Sequence, residues 1–229
     1  MPETMPATGP ETDLAKIYAR LRVIGSSTVG GVLDGLGIDG IVLPPIRPVT
    51  PDRKFAGPAF TVNVAVGALG TFKPEEFDIP AYVDVAAPGE VIAIDAGGAM
   101  VSMMGGAAAT AAKLRGVNGI VIHGGVRDLE EIVDSGMDLF VRHAAPVTGR
   151  TRVRTAATQV PIRLGNVLVN PGDILVGDST GVVCIPKAQL HEVFARAEKA
   201  EATDRVIFEH VRAGKGIGEA ARIAKGGKA

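Results

Sequence analysis

Apolar residues recur at two different spacings along this chain, and the changes between them mark out its elements. Residues 14–23 carry helical spacing, and Ser26, Ser27 or Thr28 is placed to cap a second helix running to about Leu36. Residues 59–64 alternate like a half-buried strand, launched from a turn at Gly57-Pro58. Residues 91–95 and 119–122 are instead nearly unbroken apolar runs, the pattern of strands covered on both faces. Between them lies an alanine-rich stretch, residues 106–115, with good helix propensity. Strand, helix and strand of these lengths predict a right-handed parallel crossover, which brings the helix start and the end of the second strand to one end of a sheet.

Beyond Arg150 the rhythm shortens. Residues 160–164, 166–169, 173–176 and 181–185 are separated by Gly165, Asn170-Pro171-Gly172 and Asp178-Ser179-Thr180, which predicts an antiparallel meander. Residues 187–212 then form a long amphipathic helix with Leu190, Val193, Phe194 and Ala197 on one face. Residues 38–51, rich in proline and poor in polar groups, read as a connector over the surface of the core. No flexible linker divides the chain, so residues 14–229 are expected to form a single domain after a loose Pro, Thr and Glu rich tail, residues 1–13.

Composition narrows the class. The chain has 229 residues, a net charge of −1, 30 glycines and no tryptophan, and its basic residues are scattered. Nucleic acid and membrane surfaces are therefore not expected partners, and no apolar run approaches the roughly 20 residues of a membrane span. The tail lacks the apolar core of a secretory signal, and a cytoplasmic location is expected. The single cysteine, Cys184, lies in a strand-like run and reads as a small core residue; it leaves no partner for an internal disulfide.

Candidate chemistry concentrates after the second apolar strand, at Gly124-Gly125-Val126-Arg127-Asp128. The glycines allow a sharp turn, Arg127 can fork a carboxylate, and Asp128 offers a hard oxygen to a divalent cation. The same pair could equally be a surface ion pair capping a helix that starts at Leu129. Gly105-Gly106-Ala107-Ala108 opens the alanine-rich helix, where unpaired amides without bulky side chains form an anion site or simply allow tight packing. His123, close in sequence, is a candidate proton donor or a structural histidine. Asp95 ends a strand at the same sheet edge and could cap Ala96-Gly97-Gly98. His143, His191 and His210 share no metal-binding spacing.

The segments Phe55-Ala56-Gly57-Pro58-Ala59-Phe60-Thr61, Pro88-Gly89, residues 105–128, and Asn170-Pro171-Gly172-Asp173-Ile174 through to Gly181-Val182-Val183 resemble the proteins related to the regulator of ribonuclease activity A. That family includes class II pyruvate aldolases acting on 4-hydroxy-4-methyl-2-oxoglutarate. The resemblance covers about residues 26–214. It implies an α/β/α sandwich of swivelling-domain type, assembled as a homotrimer or hexamer with sites between subunits. It implies that Arg127 binds a pyruvyl carboxylate, that Asp128 ligates Mg²⁺ or Mn²⁺, and that the amides of Gly105, Gly106, Ala107 and Ala108 hold the pyruvyl group. The implied activity is a metal-dependent carbon–carbon lyase that releases pyruvate from 2-oxo acids through a metal-stabilised enolate, as an aldolase or an oxaloacetate decarboxylase. No lysine in the motif argues for an imine mechanism. The other implied role is a non-catalytic trimeric regulator of a ribonuclease; that branch tends to lose the metal-ligating Asp, so Asp128 favours an enzyme. In the aldolase pattern an Asp stands 21 positions before the Arg, where this chain has Gly106, and an Asp there is expected to fit the first turn of the helix. A further acid from a neighbouring subunit maps approximately onto Glu201 or Asp204.

Overall fold

The computed structural model describes the backbone of residues 10–227 and the side chains of residues 14–227. In β3 (Val91–Asp95), Val91 and Ala93 face one core and Ile92 and Ile94 another, and all four are fully buried. A strand covered on both faces has no polar position to fill, which explains the unbroken run. β4 (Gly119–Val126) follows the same rule, with Val121 facing opposite to Ile120 and Ile122. Helix α4 (Gly106–Leu114) connects them and β4 lies parallel to β3, so the expected crossover is present.

The main sheet runs in the order β1 (Arg47–Pro48), β5 (Leu139–Ala144), β4, β3, β2 (Phe55–Val66), β9 (Ile174–Asp178) and β10 (Gly181–Ile185), while β6 (Val153–Thr158) pairs with the second half of β2. The sheet curls until it is nearly closed. Its inner face holds Val91, Val121, Leu175 and Val182, with Phe55 of β2 meeting Phe140 of β5 edge to face at 4.7 Å. A separate hairpin, β7 (Ile162–Leu164) and β8 (Val167–Val169), fills the inside. Outside, α3 (Pro80–Val83), α4 and α5 (Leu129–Asp134) cover one stretch through Tyr82, Ala109 and Ile132. Helices α1 (Pro10–Ile24), α2 (Ser26–Leu36) and α6 (Leu190–Arg212) cover another through Leu21, Leu33 and Val193. The α/β/α layering thus surrounds a nearly closed sheet, and α6 is the expected long C-terminal helix.

Several expectations are corrected. Residues 38–51 are not only a surface connector, although Leu43, Pro44 and Pro45 are exposed. Val42 and Ile46 are buried, Val42 N–H donates to Val182 O, Cys184 N–H donates to Gly40 O, and Arg47–Pro48 then pair with β5. The segment therefore bridges both edges of the sheet and closes it, and Val42 and Ile46 belong to the core, which a surface connector would not need. Gly57-Pro58 is part of β2, paired with β9, and the missing Cβ of Gly57 leaves room for Gly89 O, which a Cβ there would approach to 2.5 Å. The late strands are two hairpins, β7–β8 and β9–β10, and not one meander, since β9 pairs with β2 instead of β8. The strands β1, β5 and β6 and the helices α3 and α7 (Ile217–Ala224) were not among the expected elements, although Ile217, Ala220, Ala221 and Ala224 of α7 do recur at helical spacing. Of the expected tail, residues 1–9 lie outside the described residues, and Pro10 already begins α1. Cys184 is buried as expected, and burial pushes its thiol up, away from reactivity. Among the described residues no helix is long and apolar enough to cross a membrane.

The cap of α2 also differs. No side chain of the helix caps it; instead Ser26 donates through both N–H and Oγ to the Asp178 carboxylate, at 2.7 Å each, and Thr180 N–H donates to the same group at 2.9 Å. Burial alone would push the Asp178 carboxyl up, but these donors outweigh it and hold it below its ordinary value. Replacing Asp178 by Ala strands buried donors and is expected to cost about 3 kcal/mol in urea unfolding. Because the folded value is depressed, this contribution is present above about pH 4 and is lost as pH falls through the lower folded value. The gap between wild type and variant should close in that acid range.

Candidate active site

The loop from β3 to α4 is pinned along β4. Gly125 N–H donates to Val101 O at 3.2 Å, Met103 N–H to Gly125 O at 2.9 Å, and Arg127 N–H to Met104 O at 3.4 Å. Ser102 Oγ donates to Met104 O at 2.7 Å, and Tyr82 Oη donates to Met103 O at 2.9 Å. So close an approach requires glycine in the strand. A Cβ at 125 would stand 2.8 Å from Val101 O, and one at 124 would stand 2.8 Å from Ala96 Cβ. The double glycine is therefore not the turn it was expected to be: β4 continues through it to Val126, with a register irregularity after Ile122. The chain turns two residues later, at Asp128, whose φ of 58° and ψ of 49° are left-handed.

That turn lays the Arg127-Asp128 pair over the start of α4. A Cβ on Gly105 would lie 2.2 Å from Asp128 Oδ2 and 3.5 Å from Arg127 Nε, and Arg127 Nε itself is 3.3 Å from Asp128 Oδ2. The two motifs expected at one end of the sheet do meet, with Gly105 supplying the space. No side chain caps α4, so the amides at its start, from Gly106 through Ala108, remain available at the positive end of the helix. Asp128 does not cap α5 either, although Asp128-Leu129-Glu130-Glu131 has capping-box spacing. Arg127, Asp128 and Glu130 line an open cleft with Val126, Ala144 and Pro146.

The neighbouring glycine is occupied in the same way. A Cβ on Gly106 would lie 2.2 Å from both Cβ and Oε2 of Glu131. An Asp at 106 is therefore not accommodated as expected, since a near-backbone atom of α5 fills the space its Cβ would need. Ala107 and Thr110 line a shallow cleft beside Glu131. Glu131 escaped notice in the sequence; its only signal is the three-residue step from Asp128.

Residues 29–184 match the family model described as RraA-like: Aldolase/RraA. The chain belongs to the RraA-like family. Protein DlpA of Legionella pneumophila is 30% identical over 214 residues, which is 90% of this chain and 33% of DlpA; this chain spans only about a third of that relative. A Halalkalibacterium halodurans protein, provisionally named 4-hydroxy-4-methyl-2-oxoglutarate aldolase, is 31% identical over 199 residues, 85% of this chain and 90% of its own. Among solved structures, Streptomyces coelicolor RraAS2, described as an unusual member of the RNase ES inhibitor RraA family, superposes with a TM-score of 0.76 at 25% identity, covering 86% of this chain and 98% of its own.

Within this RraA-like chain, the other predicted residues fall elsewhere. His123 does not join the Arg127 cleft. Its Nδ1 accepts from Gly165 N–H at 3.3 Å and lies 3.7 Å from Asp95 Oδ1, on the side of the strand that meets the β7–β8 hairpin. Two residues after the inward-facing Val121 in a period-two strand, it turns to the same inner face. Asp95 accepts from Gly97 N–H at 2.9 Å and Arg163 N–H at 3.0 Å, the capping role weighed for it. His143 Nε2 lies 3.1 Å from Gly98 O. Glu201 is bound by Arg20 at 2.8 Å and Arg205 at 3.1 Å on α6, and Asp204 lines a groove there with Val23 and Phe208. Neither acid lies at the Arg127 cleft of its own chain.

The donor set fits one metal class. Among the described residues no three His, Cys, Asp or Glu side chains are placed to hold a metal. Asp128, about one third exposed and seated in a glycine cradle, offers one hard oxygen site. That suits Mg²⁺ or Mn²⁺, which take one or two carboxylates and complete their shell with water and substrate oxygens, and it does not suit a closed zinc site.

Proposed function

We propose that this chain is a divalent-cation-dependent carbon–carbon lyase that releases pyruvate from small 2-oxo acids, as a 4-hydroxy-4-methyl-2-oxoglutarate aldolase, an oxaloacetate decarboxylase or both. The observation that carries this reading is the seating of Arg127 and Asp128 over Gly105, beside the uncapped amides of α4. Arg127 would fork the substrate carboxylate. Asp128 would hold Mg²⁺ or Mn²⁺. When bound, the cation supplies Lewis-acid polarisation of the 2-oxo carbonyl. The amides of Gly106, Ala107 and Ala108 would face the oxygen on which negative charge grows as the carbon–carbon bond breaks, and an amide held in place for this purpose stabilises that charge without reorganising.

A homotrimer or hexamer working in the cytoplasm belongs to the same reading. Phe208 and Val211 are exposed on α6, which supports a packed neighbour, and only a neighbouring chain could bring Glu201 or Asp204 to this cleft. The test is a panel of 2-oxo acids assayed for pyruvate with Mg²⁺ or Mn²⁺ and again in excess chelator. Metal-dependent release is expected. The likeness to RraAS2 favours a second reading, a non-catalytic regulator of a ribonuclease. A panel with no release at all, together with inhibition of a ribonuclease by the purified chain, would establish that reading instead.

A further inference from the structure

The seat of Asp128 is built by the residues that lead into it. Met103 and Met104 are fully buried, and each of their carbonyls takes a bond from a side-chain hydroxyl. Tyr82 Oη donates to Met103 O at 2.9 Å, and Ser102 Oγ donates to Met104 O at 2.7 Å. Tyr82 and Ser102 are themselves buried, at 1% and 2% exposure. Phenylalanine would fill the Tyr82 site equally well, so what the hydroxyl adds in this apolar core is the one bond. Burial pushes the phenol up from its ordinary value, so Tyr82 stays protonated and remains a donor. Among the described residues Met103 O has no other donor, whereas Met104 O also accepts from Arg127 N–H.

The contacts from these hydroxyls to the cleft are continuous. Tyr82 fixes the carbonyl of Met103, whose own N–H donates to Gly125 O at 2.9 Å. Met104 follows, bound to the backbone of Arg127, and then Gly105, where a Cβ would stand 2.2 Å from Asp128 Oδ2. Ser102 also holds a second lining segment: its N–H donates to Val147 O at 2.9 Å, one residue beyond the cleft-lining Pro146. We infer that Tyr82 is a positioning residue for this site, with Ser102 as its second support, holding the Met103-Met104 backbone so that Gly105 keeps Asp128 and Arg127 aligned over α4. The inference rests on the cation and carboxylate site of the lyase reading above, and adds to it a residue that touches neither substrate nor cation. It also gives α3, only four residues long, a part in the site, since that short helix carries the tyrosine.

The test compares Tyr82→Phe and Ser102→Ala with Thr61→Val in the full chain. Thr61 carries an equally buried hydroxyl, which donates to Val160 O at 2.6 Å outside the Arg127 cleft, and supplies the purely structural control. Tyr82→Phe leaves Met103 O without a donor, and a displacement of the cradle by about 1 Å is expected to lower kcat/KM for pyruvate release by ~10- to 10²-fold. Ser102→Ala should show the same loss more weakly, because Arg127 N–H still holds Met104 O; it decides the matter on the same readouts if Tyr82→Phe does not fold. Mn²⁺ affinity, read by electron paramagnetic resonance without substrate, should weaken by about threefold to tenfold in Tyr82→Phe, less than the roughly 10- to 100-fold of a group bonded directly to a metal ligand. Thr61→Val should lower the thermal midpoint comparably and leave rate and affinity at wild-type values. Combining Tyr82→Phe with Gly105→Ala should cost little more than the larger single change, since both act on one seat. Variants of Tyr82 and Ser102 that match Thr61→Val in rate and in Mn²⁺ affinity would overturn the inference and leave the lyase reading intact. So would losses that simply add in the double variant. A wild type that binds Mn²⁺ but releases no pyruvate from any 2-oxo acid would overturn the lyase reading alone, with the affinity comparison still deciding the role of Tyr82. A wild type that does neither would overturn both.

Discussion

Asp128→Asn should abolish metal-dependent pyruvate release, lowering kcat/KM by about 10³-fold or more, since a correctly held cation contributes several kcal/mol to the transition state. Asn is the informative replacement. It keeps the shape of the side chain and tolerates the left-handed backbone found at this position, whereas Ala would add a conformational cost of about 1 kcal/mol to the loss of the ligand. The carboxylate is partly exposed and caps no helix, so the thermal midpoint should shift little. Wild-type turnover in Asp128→Asn, or undiminished turnover of the wild type in excess chelator, would refute the metal role.

Gly105→Ala tests the cradle without touching a functional group. Its φ of −130° suits alanine, and the change from Gly to Ala at a helix start costs little more than a few tenths of a kcal/mol to about 1 kcal/mol. The added Cβ, however, would lie 2.2 Å from Asp128 Oδ2 and 3.2 Å from its Cγ. A short side chain on a turn can yield only by rotating away, which breaks its alignment with Arg127. Displacement of about 1 Å at a reacting centre can cost ~10²-fold, and that is the loss expected in kcat/KM, with a melting curve close to wild type. A variant with both full activity and a normal melting curve would mean that Asp128 acts from another position.

The sequence made the crossover legible because buried parallel strands and an alanine-rich helix have unmistakable spacings, and β3, α4 and β4 fall where those spacings put them. The meeting of Gly105 with Arg127 and Asp128 followed from that topology alone. Residues 38–51 misled for a physical reason: without a period of 2 or 3.6 there is no signal that Val42 and Ile46 are core, and the partners of this segment lie about 95 to 140 residues away. Glu131 was hidden similarly. A glutamate in the first turn of a helix normally serves that helix, and only the three-dimensional fit against Gly106 reveals a different partner. His123 shows the reverse error, since nearness in sequence to Arg127 placed it in the cleft, whereas its contacts with Gly165 and Asp95 hold it elsewhere.

The closure of the sheet by residues 38–51 also sets an order of events during synthesis. Gly40, Ile41 and Val42 pair with β10, and the first residues of β2 pair with β9, strands that begin only at Gly181 and Ile174. A chain emerging from the ribosome therefore carries these edges unpaired until β9 and β10 have emerged. Such long-range pairing is slow, and open edges on a waiting strand invite association with other chains. Chains released after truncation near residue 170 should consequently require chaperone protection, and those released with β9 and β10 complete should need less.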